Sequence, residues 1–438
     1  MKTKISKAEK VNIITLGCSK NLVDSESLMR QIEACNISVV HNASGTEAGT
    51  VIINTCGFIN DARQESVDTI LQYARARKEG LIDRLYITGC LSKRYKTVLE
   101  AEIPEADAFF GTDQPEEILR SLGLDYKKEL AGERKLSTPS HYAYLKISEG
   151  CDRTCAFCAI PQIRGRHISK PVESILKEAA YLAKMGVREL ILIAQDLTYY
   201  GIDIYRKQML PELITRLSDT DQFSWIRLHY TYPAGFPKKI IQIMKERDNI
   251  CNYLDIPVQH ASNKVLRLMQ RNHNREQVLE LIDYFRTEIP GITLRTTVLT
   301  GHPGERQAEF NELLEFIREV KFERLGAFTY SHEENTPAAL NYRDTVPEKE
   351  KTRRMEQIME VQQSISREIN ELKKSKIFKV IIDNTEGDYY LGRTDADSPE
   401  VDNEVLIEKK KAILSPGQFY NVRITGCDDY DLYGNVVE

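Results

Sequence analysis

Gly150-Cys151-Asp152-Arg153-Thr154-Cys155-Ala156-Phe157-Cys158-Ala159-Ile160-Pro161 sets three thiols on one short loop, separated by three residues and then by two. Three thiolates can hold three corners of a four-iron cluster and leave the fourth iron open, whereas four cysteine ligands close such a cluster. An open iron is a coordination position reserved for a substrate or a cofactor. The competing metal is zinc, with a fourth ligand elsewhere in the chain. Zinc sites usually join one CxxC pair to a second pair or to two His, and neither arrangement lies near this loop.

Working outward, Ser-Thr-Pro-Ser-His-Tyr from Ser137 reads as a linker. Beyond it, apolar runs at 143–148, 189–195, 225–230, 253–258, 292–299 and 325–330 predict strands, and stretches at 172–184, 238–247, 275–285 and 307–320 predict helices. Six such units predict a partial, open (β/α)6 version of the eight-unit barrel, with the cysteine loop after the first strand at the catalytic end. Gln195, Asp196, Gln259, His260, Thr300, His302 and Glu305 close other strands at that end and are expected to line a cavity for cofactor and substrate. Gln195 and Asp196 suit recognition of a ribose or an amino group. The turn Thr300-Gly-His-Pro-Gly-Glu305 either lets a ligand approach closely or is structural. His260 is a binding residue or a hydrogen-bonded wall residue, and Arg164 and Arg166 meet a substrate carboxylate or solvent.

The first ~120 residues repeat a strand–helix pattern that predicts a doubly wound parallel sheet. Three β-branched runs end at Cys18, Cys56 and Cys90, with helical stretches after the first two. Parallel strands bring their carboxyl ends to one edge, so thiols distant in sequence converge in space. A second three-thiolate site with an open iron follows from that pattern. The alternative is three buried structural thiols, since free Cys packs well as a small apolar residue. Cys35, Cys251 and Cys427 belong to no such pattern and read as core or surface thiols.

From Pro347 to about Lys374 a charged, helix-favouring stretch reads as a connecting helix. Five short runs follow, at 378–382, 388–392, 404–407, 419–425 and 432–437, and predict a small antiparallel β-barrel of the OB kind. Such barrels often bind RNA through basic grooves. Residues 376–438 instead hold seven Lys or Arg against thirteen Asp or Glu. Asp428, Asp429 and Asp431 form one acidic group, and Asp395, Asp397, Glu400, Asp402 and Glu404 another. An acidic face repels phosphate and attracts a basic partner, or it is only a solvated surface.

At 438 residues the chain holds about three domains. Its 41% apolar and 29% charged content is that of a globular protein, and a net charge of -5 argues against an overall basic, nucleic-acid-binding surface. Nine Cys is an odd count, and six in ligand-like settings fit metal better than disulfides. The opening Met-Lys-Thr-Lys-Ile-Ser-Lys lacks the apolar core of a secretory signal, and no apolar run approaches the ~20 residues of a membrane span. A reducing cytoplasmic compartment and no membrane partner are expected.

The CxxxCxxC spacing, with Phe157 before the last Cys, resembles the signature of the radical S-adenosylmethionine enzymes, whose open iron binds the amino and carboxylate groups of S-adenosylmethionine. Nearly the whole chain is similar to the methylthiotransferases of that superfamily. The resemblance divides it into an amino-terminal domain (8–125) with a second iron–sulfur site, a radical core (137–367) and a TRAM barrel (370–438). Within that family, Leu16-Gly-Cys-Ser-Lys-Asn-Leu-Val-Asp-Ser25 and the segment 148–167 resemble the branch acting on a ribosomal protein. The alternative branch acts on modified adenosine of transfer RNA and tends to carry Asn and Tyr where this chain has Asp152 and Thr154. The resemblance implies two 4Fe-4S clusters, on Cys18, Cys56 and Cys90 and on Cys151, Cys155 and Cys158, and S-adenosylmethionine near Gln195, Asp196, Gln259, His260, Thr300 and Glu305. It implies transfer of a methylthio group to the β-carbon of an aspartate in the twelfth small-subunit ribosomal protein. The cluster on Cys18, Cys56 and Cys90 would hold the sulfur, and a flavodoxin or ferredoxin would donate electrons. The implied partner is a basic ribosomal protein or the ribosomal subunit, met through the acidic barrel.

Overall fold

Uninterrupted Val, Ile and Leu runs separated by amphipathic stretches bury both faces of a strand, which favours parallel sheets covered by helices. The computed structural model describes residues 10–45 and 48–437 and contains two such sheets and a barrel. The opening residues 1–9, with the start expected to lack a secretory signal and the first two positions of the expected first domain, lie outside the described residues, as does Glu438 at the end of the last.

The amino-terminal unit runs β1 (Lys10–Thr15), α1 (Ser19–Glu33), β2 (Ser38–His41), β3 (Thr50–Thr55), α2 (Asn60–Lys78), β4 (Arg84–Gly89), α3 (Cys90–Glu102), β5 (Ala108–Phe109) and α4 (Pro115–Ser121). Its strands pair in parallel in the order β2-β1-β3-β4-β5. Alternate residues feed two cores: Ile14, Ile53 and Ile87 pack with Ile70 and Leu91, while Ile13 and Ile52 pack with Leu28, Ile32 and Leu119 on the opposite face. Strand order reverses between β1 and β3, and a crevice for ligands opens at the carboxyl ends of strands at such a switch point.

The central unit runs β6 (Tyr142–Lys146), β7 (Ser148–Glu149), α5 (Ile160–Arg164), β8 (Ile168–Ser169), α6 (Val172–Lys184), β9 (Glu189–Ile193), α7 (Ile202–Tyr205), α8 (Leu210–Ser218), β10 (Trp225–Leu228), α9 (Lys239–Glu246), β11 (Ile250–Asp255), α10 (Asn263–Leu268), α11 (Arg275–Glu288), β12 (Thr293–Thr300), α12 (Gln307–Val320), β13 (Arg324–Thr329) and α13 (Pro337–Asn341). Six strands form one parallel, open sheet in the order β13-β12-β11-β10-β9-β6. Helices α8 and α10 fill gaps that the sequence left without an element. A 24-residue helix, α14 (Glu348–Glu371), then crosses β13 and α12.

Five strands close the carboxyl-terminal barrel: β14 (Ile377–Glu386), β15 (Tyr389–Arg393), β16 (Val405–Glu408), β17 (Phe419–Cys427) and β18 (Leu432–Val436). Two expectations change here. The barrel is not wholly antiparallel, because β16 and β18 pair in parallel. Five directions cannot alternate around a closed ring, so one neighbouring pair must run the same way.

The second change concerns charge. The acidic run between β15 and β16 turns inward, against the open sheet of the central unit. Asp397 pairs with Arg324, Asp402 lies 3.3 Å from Arg295 and accepts from the Tyr253 hydroxyl at 2.7 Å, and Glu400 accepts from Tyr142 and Tyr144 at 3.1 and 3.2 Å. Alongside, Glu189 bridges Arg227 at 2.7 Å and Arg393 at 2.8 Å. The second acidic group is also engaged: Asp428 and Asp431 accept from loop backbone amides, and Asp429 pairs with Arg367. Asp397, Asp402 and Glu400 thus fasten the barrel to the core, whereas Asp428 and Asp431 are held within the barrel's own loop and Asp428 stays exposed.

Candidate functional site

Cys56 and Cys90 directly follow the carboxyl ends of β3 and β4, and Cys18 comes just after β1, all at the crevice edge. Gly17 makes their approach possible. Its φ is +87°, and a Cβ there would lie 2.5 Å from Cys56 Cβ and 2.7 Å from its Sγ. The Cys56 backbone is pinned from α2, since its amide donates to Ser66 Oγ at 3.0 Å and Ser66 Oγ donates back to its carbonyl at 2.9 Å. Burial pushes the Cys56 thiol up and the Cys90 thiol up to about 12; each also feels Cys18, and the nearby Arg164 guanidinium acts the other way.

The second set lies at the corresponding edge of the central sheet. Gly150 has φ +71°, and a Cβ there would lie 2.0 Å from the Arg166 carbonyl oxygen, so only Gly lets the two sides of the loop meet. The β7·β8 pair and the Cys151 amide, donating to the Gly165 carbonyl at 3.1 Å, close the loop's base. Its middle is strapped by Ala156 N to Met269 O and by Ala338 N to Ala156 O, both 2.8 Å. Burial pushes Cys151 up to about 11 and Cys158 further still, and neighbouring thiols of the set add to both shifts.

Each set offers the donor chemistry that an iron–sulfur cluster takes, three free cysteine thiols. Within each set the thiols lie in one another's electrostatic field. Among the described residues no three His, Cys, Asp or Glu are gathered to hold a single metal ion; a cluster of several irons asks for a wider spacing of thiolates. Cations stand ready to offset thiolate charge: Arg271 Nη1 is 3.4 Å from Cys155 Sγ, and Arg271 and Arg153 lie 4.2 and 4.0 Å from the Tyr232 ring centroid.

Arg164 joins the two sets. Helix α5 begins two residues after Cys158, and its Ile163, with Ala159 just before it, packs on Cys90. Arg164 donates to Asn21 Oδ1 at 2.5 Å, Glu149 Oε1 at 2.9 Å and Asp24 Oδ2 at 3.2 Å, and Asn21 Oδ1 lies 3.8 Å from Cys90 Sγ. Lys146 pairs with both Asp24 and Glu149. Burial opposes charge on Arg164, but Asp24 and Glu149 overcome it and hold the guanidinium well above its ordinary value. Arg166, by contrast, reaches solvent beside Asp152.

The residues expected around S-adenosylmethionine divide into two groups. Gln195 donates to Glu149 at 3.0 Å and leaves its buried Oε1 without a partner, as is Ser148 Oγ nearby in sequence to the loop. Asp196 faces the loop, accepting from Arg153 Nε at 2.8 Å while capping the turn at Thr198. Gln259 follows β11, at a φ of +71°. Thr300, His260 and Glu305 instead engage one another: Glu305 accepts from Thr300 Oγ1 at 3.0 Å, from Gly301 N at 2.8 Å and from Arg354 of α14 at 2.7 Å, with His260 Nε2 3.4 Å away. His302 sits in the same buried turn with Nε2 unpartnered.

A methylthiotransferase named RimO for ribosomal protein uS12 from Bacteroides thetaiotaomicron is 53% identical over 98% of this chain and 99% of its own. The chain belongs to the RimO family. RimO proteins of Cytophaga hutchinsonii and Flavobacterium johnsoniae match at 52% and 51%, covering 100% and 99% of both chains. Three family models describe the parts: Uncharacterized protein family UPF0004 over residues 10–111, the radical SAM superfamily over 145–317 and the TRAM domain over 376–437. Among solved structures, the radical S-adenosylmethionine methyltransferase TsrM of Kitasatospora setae gives a TM-score of 0.54 at 13% identity over 76% of this chain and 77% of that one. The cobalamin-dependent enzyme OxsB gives 0.51 at 13% identity over 76% and 54%. At such identities the likeness is one of fold.

In this RimO-family chain, sequence reasoning missed Lys20, Asn21 and Asp24, which stand in the first turns after Cys18, and Glu149, Arg153 and Arg271. Their proximity to Cys18 and to the CxxxCxxC loop was a usable signal for all but Arg271, which reaches Cys155 across 116 residues.

Proposed function

We propose that this chain adds a methylthio group to the β-carbon of an aspartate in ribosomal protein uS12. The observation that carries the reading is the pair of three-thiol sets, each at the carboxyl edge of its own parallel sheet and joined through Arg164 and Asn21. Full-length similarity to RimO proteins supports uS12 over transfer RNA as the substrate. We assign Cys151, Cys155 and Cys158 to one 4Fe-4S cluster and Cys18, Cys56 and Cys90 to the second. When bound, these clusters and S-adenosylmethionine supply the one-electron chemistry, the sulfur and the methyl group that a C–H bond beside a carboxylate requires. The chain's own work is to hold and shield them. Buried thiols surrender their protons on metal binding, Arg271 and Arg164 offset the resulting charge, and the orphaned Gln195 Oε1 and Ser148 Oγ are left to bond S-adenosylmethionine.

Residues 8–125, 137–367 and 370–438 form the three working units of this reading. Its partners are uS12 and a flavodoxin- or ferredoxin-type reductant, in the cytoplasm. No helix among the described residues is long and apolar enough to cross a membrane. The test uses anaerobically reconstituted protein, reductant, S-adenosylmethionine and a uS12 peptide, read by mass spectrometry. Replacing Cys151, Cys155 and Cys158 with Ala should abolish 5′-deoxyadenosine formation. Replacing Cys18, Cys56 and Cys90 should abolish the methylthio addition while cleavage continues. Full transfer by the second variant would remove that site from the function.

A further inference from the structure

Nearly all the buried basic side chains of the described residues have a carboxylate: Arg134 has Glu26, Arg227 has Glu189 and Arg324 has Asp397. Lys20 is different. It is 8% exposed, its ammonium lies 3.2 Å from the centroid of the Tyr230 ring, and among the described residues no carboxylate stands within ion-pair distance of it. Arg271 also lacks a carboxylate, but its Nη1 faces Cys155 Sγ and its Nη2 donates to the Pro257 carbonyl. A cation–π contact recovers only part of what taking an ammonium out of water costs. The ring does not balance the burial, and an anion would.

The position indicates which anion. Lys20 is two residues past Cys18 in the first turn of α1, and Tyr230 lies two residues past the carboxyl end of β10. Tyr232, on the same short stretch, lies under Arg153 and Arg271 beside the other thiol set. Lys20 therefore stands where the amino-terminal crevice meets the mouth of the central sheet. We propose that Lys20, held over Tyr230 beside Cys18, receives the side-chain carboxylate of the aspartate to be modified. This rests on the reading of the substrate given above. A carboxylate gripped there holds its neighbouring β-carbon one bond from the anchor, next to the thiols assigned to the sulfur-bearing cluster. The compact three-donor ammonium suits one carboxylate approached end-on.

The test titrates reconstituted holoenzyme with two fluorescent uS12 peptides, one carrying the target Asp and one carrying Asn in its place, and follows anisotropy. Wild type should prefer the Asp peptide. Lys20→Met and Lys20→Gln should each weaken the Asp peptide roughly 10- to 100-fold and leave the Asn peptide within about twofold, with iron content and cluster EPR spectra like wild type; Lys20→Arg should keep part of the preference. Undiminished Asp-over-Asn preference in both neutral variants overturns the proposal. So does equal weakening of both peptides with altered iron content or spectra, which would make Lys20 a counter-charge to the metal centre. If wild type neither binds nor modifies the Asp peptide, the functional reading itself fails and this inference falls with it.

Discussion

Single residues set the geometry between the thiols. Gly17→Ala forces a methyl group into Cys56 at a φ that L side chains avoid. Iron per reconstituted chain should fall from about eight to about four, while 5′-deoxyadenosine formation continues; full iron loading would show that the crevice tolerates the shift. Arg164→Met removes one member of a buried ionic group and leaves Asp24 and Glu149 with Lys146 alone. Breaking such a group costs about 3 kcal/mol, and denaturant titration of the apoprotein should show it. An unchanged unfolding midpoint would mean that Lys146 suffices. The two sets of three cysteines could be picked out at this scale because spacing and strand ends are local properties. From sequence, Arg164 is expected to meet a substrate carboxylate or solvent; its actual partners Asp24 and Asn21 come from another sheet, which the sequence does not reveal. From sequence, the turn 300–305 faces a ligand or is structural, and His260 is a binding or a wall residue; their mutual bonds and Arg354 of α14 arise from packing that no periodicity reveals.

Elements follow from patterning where the pattern is long. Helices α6 and α12 occupy 172–184 and 307–320, the stretches that periodicity marked, because their apolar faces repeat over several turns. Short pieces escaped: β2 has four residues and β5 two, too few for alternation to register. Local chemistry still decides their ends. Asn274 begins α11 with a reciprocal cap, accepting from Gln277 N at 2.8 Å while its own amide donates to Gln277 Oε1 at 3.0 Å. Asn274→Ala should cost ~1 kcal/mol of stability, read by thermal unfolding. The cysteine loop is a more brittle element. Gly150→Ala sets a Cβ against the Arg166 carbonyl and should abolish S-adenosylmethionine cleavage; retained cleavage would show that the loop base can open without moving Cys151.

At the scale of the molecule, two parallel sheets share a working edge and the barrel is bolted to the core by buried charge. The sequence exposed the three units and the acid excess of the last, but its charges carry no sign of which way they point. Glu189, Asp383 and Asp397 are each pushed up by burial, yet their arginines, led by Arg393 for the first two and Arg324 for the last, bring them below the usual carboxylate range. Depressed values stabilise the fold above the unfolded value of about 4. That contribution is lost as pH falls through the lower folded values. Unfolding midpoints should be level above roughly pH 5 and fall below about pH 4, with a smaller fall in Asp397→Asn. Equal acid limbs in both proteins would place the sensitivity elsewhere.

The central claim is that two metal centres, each lacking one protein ligand, occupy the facing edges of the two sheets. Iron analysis with EPR of the reduced, anaerobically reconstituted chain tests it most directly. About eight irons in wild type, and about four in each triple Cys→Ala variant with the signal of the remaining cluster intact, is the expected result. About four irons in wild type, or loss of both signals only when Cys151, Cys155 and Cys158 are replaced, would contradict it.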